Sequence, residues 1–204
     1  MKAPQYIRGT TPPPQPLRRC ILVVDISHSM ADPMDKSGNS KLDAARAAVV
    51  EFAAGAMRGG PLELQLLTFA GKVWNHHRPG ELTSAAEVEA VVSTWSTKDD
   101  TNIGDALRAV TKLLRPGQPN EVVLLSDGED QANQDPWGAA KQLKAAGNHI
   151  VHTIGIAPTP DKVDEKLLRA IASTGAQGEP LYRFIWDRDS LIEHYGELGT
   201  GMTE

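Results

Sequence analysis

The sequence predicts an α/β protein: a doubly wound, mostly parallel six-stranded sheet flanked by helices. Three observations carry that prediction. Short apolar runs alternate with helical periodicities along nearly the whole chain, the pattern of a parallel sheet covered on both faces. Ile21 to Val24 and Val122 to Leu125 are apolar without alternation, as befits strands buried on both sides. Both runs end in polar clusters, Asp25-Ile26-Ser27-His28-Ser29 and Ser126-Asp127-Gly128. Those clusters leave the sheet at its carboxyl edge, where open α/β sheets hold ligands.

The elements follow in order. Arg19 to Ser27 is the first strand. Asp32 to Asn39, with Pro33 and Gly38, is a loop, and Met34 at its middle is a candidate partner contact. Ser40 fits an N-cap, and Leu42, Ala45, Val49 and Phe52 recur at helical spacing, so Lys41 to Ala54 is a helix. Leu62, Leu64, Leu66, Leu67 and Phe69 make the second strand after Pro61. Gly71 turns the chain into a short antiparallel strand, Lys72 to Asn75. Ser84-Ala85-Ala86-Glu87 is a capping box opening a helix to Ser93. Thr101 or Asn102 caps the next helix, which reaches Leu114 before Pro116, Gly117 and Pro119 end it.

Glu121 to Ser126 is the fourth strand. Asp135-Pro136 opens a helix to Ala146, closed by Gly147. His149 to Ile156 is the fifth strand, Lys162 to Ser173 a helix, and Leu181 to Ile185 the sixth strand. Asp189 caps a last helix, Ser190 to Leu198. The expected organisation is a Pro-rich tail over 1–18, one domain over 19–198 and a short tail over 199–204.

Composition narrows the function classes. The chain has 204 residues, 40% hydrophobic and 23% charged, ordinary values for a soluble globular protein. A formal net charge of −5 disfavours nucleic acid and anionic membranes, which need cationic surface. Cys20 is the single cysteine, so no intrachain disulfide forms, and burial as a small apolar group is expected. No apolar signal segment or membrane-length run is present. A cytoplasmic location is therefore expected.

The chemistry concentrates in three segments. Asp25, Ser27 and Ser29 offer a carboxylate and two hydroxyls within five residues, an oxygen set suited to hard cations. Thr101 stands before a helix, and Asp127 ends the fourth strand. Asp-x-Ser-x-Ser, then Thr before a helix, then strand-Asp-Gly, in that order over roughly residues 19 to 195, resembles the von Willebrand factor A (VWA) domain. The resemblance implies strand order 3-2-1-4-5-6 and a metal-ion-dependent adhesion site (MIDAS) formed by Asp25, Ser27, Ser29, Thr101 and Asp127. It implies a divalent cation, Mg²⁺ first, with Ca²⁺ or Mn²⁺ as alternatives. It also implies a protein partner that supplies an acidic side chain to the metal, and a last helix able to shift when it does. Its intracellular bacterial members imply an AAA+ ATPase or a signalling or defence complex as partner.

Several residues depart from the family form. His28 stands where Gly is common, and Asp99 and Asp100 precede Thr101 where small residues are common. With Glu129 and Asp130 they would form an acidic rim favouring Ca²⁺ or a partner bearing Lys or Arg. His76-His77 reads as surface, and the four tryptophans as packing anchors.

Three function classes are thus in view. The first is a non-catalytic, metal-dependent protein-interaction module. The second is the same scaffold with a metal that only staples loops. The third is a metal-dependent phosphohydrolase, which Ser27 disfavours by standing where a general acid/base carboxylate would be. No P-loop, Gly-x-Ser-x-Gly elbow or dinucleotide fingerprint is present.

Overall fold

The strands of the computed structural model hydrogen-bond in the order β3-β2-β1-β4-β5-β6. They are β1 Arg18–Asp25, β2 Leu62–Phe69, β3 Val73–Asn75, β4 Asn120–Ser126, β5 His149–Ile156 and β6 Tyr182–Ile185. Only β2 and β3 pair antiparallel; every other neighbour is parallel. The helices are α1 Lys41–Arg58, α2 Ala85–Val92, α3 Ile103–Leu113, α4 Pro136–Ala145, α5 Glu165–Ile171 and α6 Arg188–Gly201. Residues 17–36, 38–77, 80, 82–128, 135–147 and 149–201 are described. Of the expected tails over 1–18 and 199–204, residues 1–16 and 202–204 lie outside them, as do the rim residues Glu129 and Asp130.

The side-chain alternation of a strand splits the core into two layers. Cys20, Leu22 and Val24 of β1 join Val123 and Leu125 of β4 in packing against α1, α2 and α6. Ile21 and Val23 of β1, with Val122 and Leu124 of β4, pack against α3, α4 and α5. Both faces being covered explains why these strands read as unbroken apolar runs. The fold expectation and the strand order hold. β1 and β4, the central pair, carry the two polar clusters at their carboxyl ends.

Several elements differ from expectation, each for a local reason. β1 stops at Asp25, because Ser27 leaves the ladder for a single bridge to Lys98. α1 continues to Arg58 because Gly55, a weak helix former, sits against α6, with Gly196 O 3.4 Å from where its Cβ would be. α5 starts at Glu165 because Pro160–Lys162 forms a 3-10 turn and Asp164, not an earlier residue, accepts from the Leu167 N–H at 2.9 Å. The Ser190 N–H binds Asp187 rather than the expected Asp189, at 2.8 Å. α6 runs on through Gly201.

Met34 is buried, with 1% exposure, so it anchors its loop to the core and is not a partner contact. Trp95 is buried and Trp74 packs against the core, but Trp137 and Trp186 are 46% and 62% exposed and lie outside the core, with the Lys166 ammonium 5.8 Å over the Trp137 ring. His76 and His77 are half-buried rather than surface residues; they bond Thr68 Oγ1 at 2.7 Å and the Leu64 carbonyl at 2.9 Å. Among the described residues no helix is long and apolar enough to cross a membrane.

Candidate metal centre

The first site segment is set by how β1 ends. Beyond Asp25, the Ile26 N–H still bonds Phe69 O at 2.8 Å, and the Lys98 N–H bonds Ile26 O at 2.7 Å. The chain then curls into a 3-10 turn, His28–Ala31, pinned by buried Met30. That curl brings Ser27 and Ser29 to one side, with their hydroxyl oxygens 3.2 Å apart. The tight turn is what makes alternate residues of Asp-x-Ser-x-Ser converge.

The second segment is laced to β2. The Gly71 N–H bonds Asp99 O at 3.0 Å, and the Asn102 N–H bonds Ala70 O at 2.9 Å. Between them Asp100 adopts a φ of +65°, a left-handed conformation uncommon outside Gly, Asn and Asp. Asn102 rather than Thr101 caps α3, its Oδ1 accepting from the Asp105 N–H at 2.9 Å. Thr101, thereby excused from capping, is buried and lines the site. The third segment is the end of β4. Ser126 Oγ donates to Asp25 Oδ2 at 2.7 Å, joining β4 to β1 beneath the site.

All five expected residues come together. The Ser27 N–H donates to Asp25 Oδ1 at 2.8 Å, and Ser29 Oγ donates to Asp127 Oδ1 at 2.8 Å. Ser27, Ser29 and Thr101 line a cavity of about 320 Å³ with His28, Asp32 and Asp100. Asp25 and Asp127 lie beneath that lining, both buried. Burial, and then the charge of Asp127, push the Asp25 carboxyl up to about 7. Of the expected acidic rim, Asp100 lines the cavity and Asp99 does not.

Three contributors were not foreseen. Asp32 joins the mouth, and Ser126 holds Asp25. Lys41 is the third: its Nζ lies 2.6 Å from Asp127 Oδ2 and 3.3 Å from Ser29 O. A Lys at the first position of a helix opposes the helix dipole, and that anomaly was the available signal. The Ser126 signal was its place directly before Asp127.

The donor set suits a hard divalent ion. Three hydroxyls face a cavity, and two buried carboxylates sit close enough that one raises the other's pKa. Like charges so placed favour a nearby cation, a role that Lys41 fills in part at Asp127. Among the described residues no group of three or more His, Cys, Asp or Glu is arranged to hold a metal. A cation here would therefore rely on the Ser and Thr hydroxyls.

Comparison with known proteins agrees with the geometry. No protein of curated function matches the sequence. Solved structures match with probability 1.00 but low identity, and so speak to fold. A von Willebrand factor type A protein from Catenulispora acidiphila shares 19% identity at a TM-score of 0.71, over 91% of this chain and 42% of that one. A variant of the PilB minor pilin from Streptococcus sanguinis shares 15% at 0.74, over 98% and 63%. Proximal thread matrix protein 1 from the mussel byssus, described with a zinc-occupied MIDAS motif, shares 18% at 0.68, over 91% and 46%. The chain thus spans under two thirds of each of these relatives. The family model of the von Willebrand factor type A domain matches residues 20–189, and the chain belongs to that family.

Proposed function

We infer that this chain is a non-catalytic protein-interaction module that engages its partner through a divalent cation at the Ser27–Ser29–Thr101 cavity. The observation that carries the reading is the convergence of three hydroxyls, backed by Asp25 and Asp127, at the carboxyl edge between β1 and β4. In this reading Asp25, Ser27, Ser29, Thr101 and Asp127 hold the ion. Such an ion offers a Lewis-acidic site for an oxygen ligand, and Mg²⁺ fits a small all-oxygen set best, with Ca²⁺ and Mn²⁺ as alternatives. The zinc-occupied MIDAS motif of the mussel relative supports a cation at this place in the fold.

The chain's own residues argue against hydrolysis. Asp25, the nucleophile such chemistry would need, is buried beneath the cavity and already accepts two hydrogen bonds. No carboxylate stands two residues on, where Ser27 takes the place. Phosphate release from an aryl phosphate, abolished in Asp25→Asn, would overturn this.

The partner is proposed to be another protein reaching the ion with an acidic side chain. Its class follows the family resemblance: an AAA+ ATPase or a signalling or defence complex in the cytoplasm. The single, buried cysteine is compatible with a reducing compartment, and cell fractionation tests the location. Thermal melting in EDTA and in Mg²⁺, Ca²⁺ or Mn²⁺ tests the site. An ion at 100 times its Kd stabilises by about 2.7 kcal/mol, which raises Tm by roughly 2–4 °C in a domain of this size. That rise is expected for wild type and absent in Ser29→Ala. Partner capture that is equal in EDTA and in Mg²⁺ would refute the interface.

A second reading has its own observation. The site draws on three separate segments, so an ion there would staple β1, β4 and the start of α3 together. A chelator-sensitive Tm with unaltered partner capture would select it.

A further inference from the structure

We propose that Lys41 is a built-in counter-ion of the metal centre: its ammonium shares Asp127 with the divalent cation and keeps the affinity for that cation low. The proposal rests on the cation-site reading given above.

The placement is specific. Lys41 Nζ lies 2.6 Å from Asp127 Oδ2, and the two side chains are 6% and 0% exposed. The same Nζ donates to the Ser29 carbonyl at 3.3 Å, while the Lys41 main-chain N–H donates to Asp32 O at 3.0 Å. The ammonium therefore sits inside the curl that carries Ser27 and Ser29. Both Asp127 oxygens already accept a hydrogen bond, one from the Ser29 hydroxyl and the other from Lys41.

The charge balance has a direct consequence. Asp25 and Asp127, when ionised, bring two negative charges, and Lys41 returns one positive charge. A divalent ion entering this set meets less compensation than two carboxylates would give alone. The pair is buried, so water screens it little. Asp32 and Asp100 also line the cavity, but both are exposed and water weakens their pull. The bound ion is then held loosely and keeps positive charge towards the cavity mouth. An anionic group from a partner completes the neutralisation, so ion retention and partner binding favour each other. A helix-start Lys that merely braced the loop would give the opposite result on removal, since loosening Ser27 and Ser29 weakens the ion.

Titration calorimetry with Mn²⁺ on wild type, Lys41→Met, Lys41→Arg and Ser29→Ala decides between these. The expected result is that Lys41→Met tightens Mn²⁺ by about tenfold or more, the effect a unit charge at close range has on an ionisation equilibrium. Lys41→Arg keeps the charge and stays within a few-fold of wild type. In EDTA, Lys41→Met melts below wild type, and Mn²⁺ raises its midpoint by more than it raises wild type's. Should Lys41→Met not fold, Lys41→Gln removes the charge while keeping a donor for Asp127, and the same tightening is expected. Wild type that binds Mn²⁺ with Lys41→Met equal or weaker would overturn the counter-ion role and leave the metal site standing. Folded wild type and Lys41→Met that both ignore Mn²⁺ would overturn the metal site, and this proposal with it.

Discussion

Thr101 and Asn102 are neighbours with divided duties, and substitutions can separate them. Thr101 contributes a hydroxyl to the cavity, whereas Asn102 caps α3. Thr101→Val keeps the shape and loses the hydroxyl. We predict a metal-free Tm within about 2–4 °C of wild type, a change of roughly 1 kcal/mol, with the metal-induced rise reduced or lost; an undiminished rise would remove Thr101 from the site. Glu121, far from the site on β4, makes a pH prediction. Burial pushes its carboxyl up to about 7, opposed in part by Arg18. Between the unfolded value, 4.5, and about 7, the unfolded chain has released this proton and the folded chain has not. Folding is therefore favoured at the acid end of the window and loses that advantage as pH rises through it. Glu121→Gln carries no such loss. In urea melts it should exceed wild type at pH 8 and converge on it near pH 4.5; parallel curves would count against the shift.

At the scale of elements, packing and caps set the costs. Asn102→Ala should lose about 1 kcal/mol, the worth of a side-chain N-cap, read as a lower urea midpoint. Gly199 of α6 lies against α1 so closely that an added Cβ would come within 2.6 Å of Phe52 O. That obstacle is backbone and cannot rotate away. Gly199→Ala should therefore destabilise by about 1–3 kcal/mol, and an unchanged midpoint would show that α6 slides along α1 at little cost. These elements also show what could be read in advance. The strands were legible because two-sided burial leaves unbroken apolar runs, and the Ser40 and Ser84 caps because their partners lie three residues on. The Asp-x-Ser-x-Ser motif was legible through its resemblance to the family, but its curl was not, since the strand was expected to run on to Ser27 and stops at Asp25. The pairing of Lys41 with Asp127 was not legible, since it spans 86 residues and its one local sign was a Lys at the start of a helix. Met34 was misread because a Pro- and Gly-containing loop looks exposed until the core beneath it is known.

For the whole molecule, the sheet is tied at both ends. At the edge opposite the cavity, Arg19 bonds Glu63 at 2.7 Å and Asn120 Oδ1 at 2.7 Å, joining β2, β1 and β4, and Arg115 adds a second bond to Glu63 at 2.9 Å. Glu63→Ala leaves the Arg19 guanidinium buried without its counter-charge. A loss of about 3 kcal/mol is expected, while the cavity end should keep its metal response; unaltered stability would mean that Asn120 and the Leu113 carbonyl, which accepts from Arg19 at 2.6 Å, suffice for Arg19. The strand order has a further effect, on timing. β1 precedes β2 and β4 in the sequence and lies between them in the sheet. Its second edge stays open until the segment ending at Ser126 has emerged from the ribosome. Asp127 follows immediately, so until then the nascent chain exposes an unpaired apolar edge and has no complete cation site. This is the interval in which a chaperone would be needed, and an interrupted message would yield an aggregation-prone fragment rather than a smaller working domain.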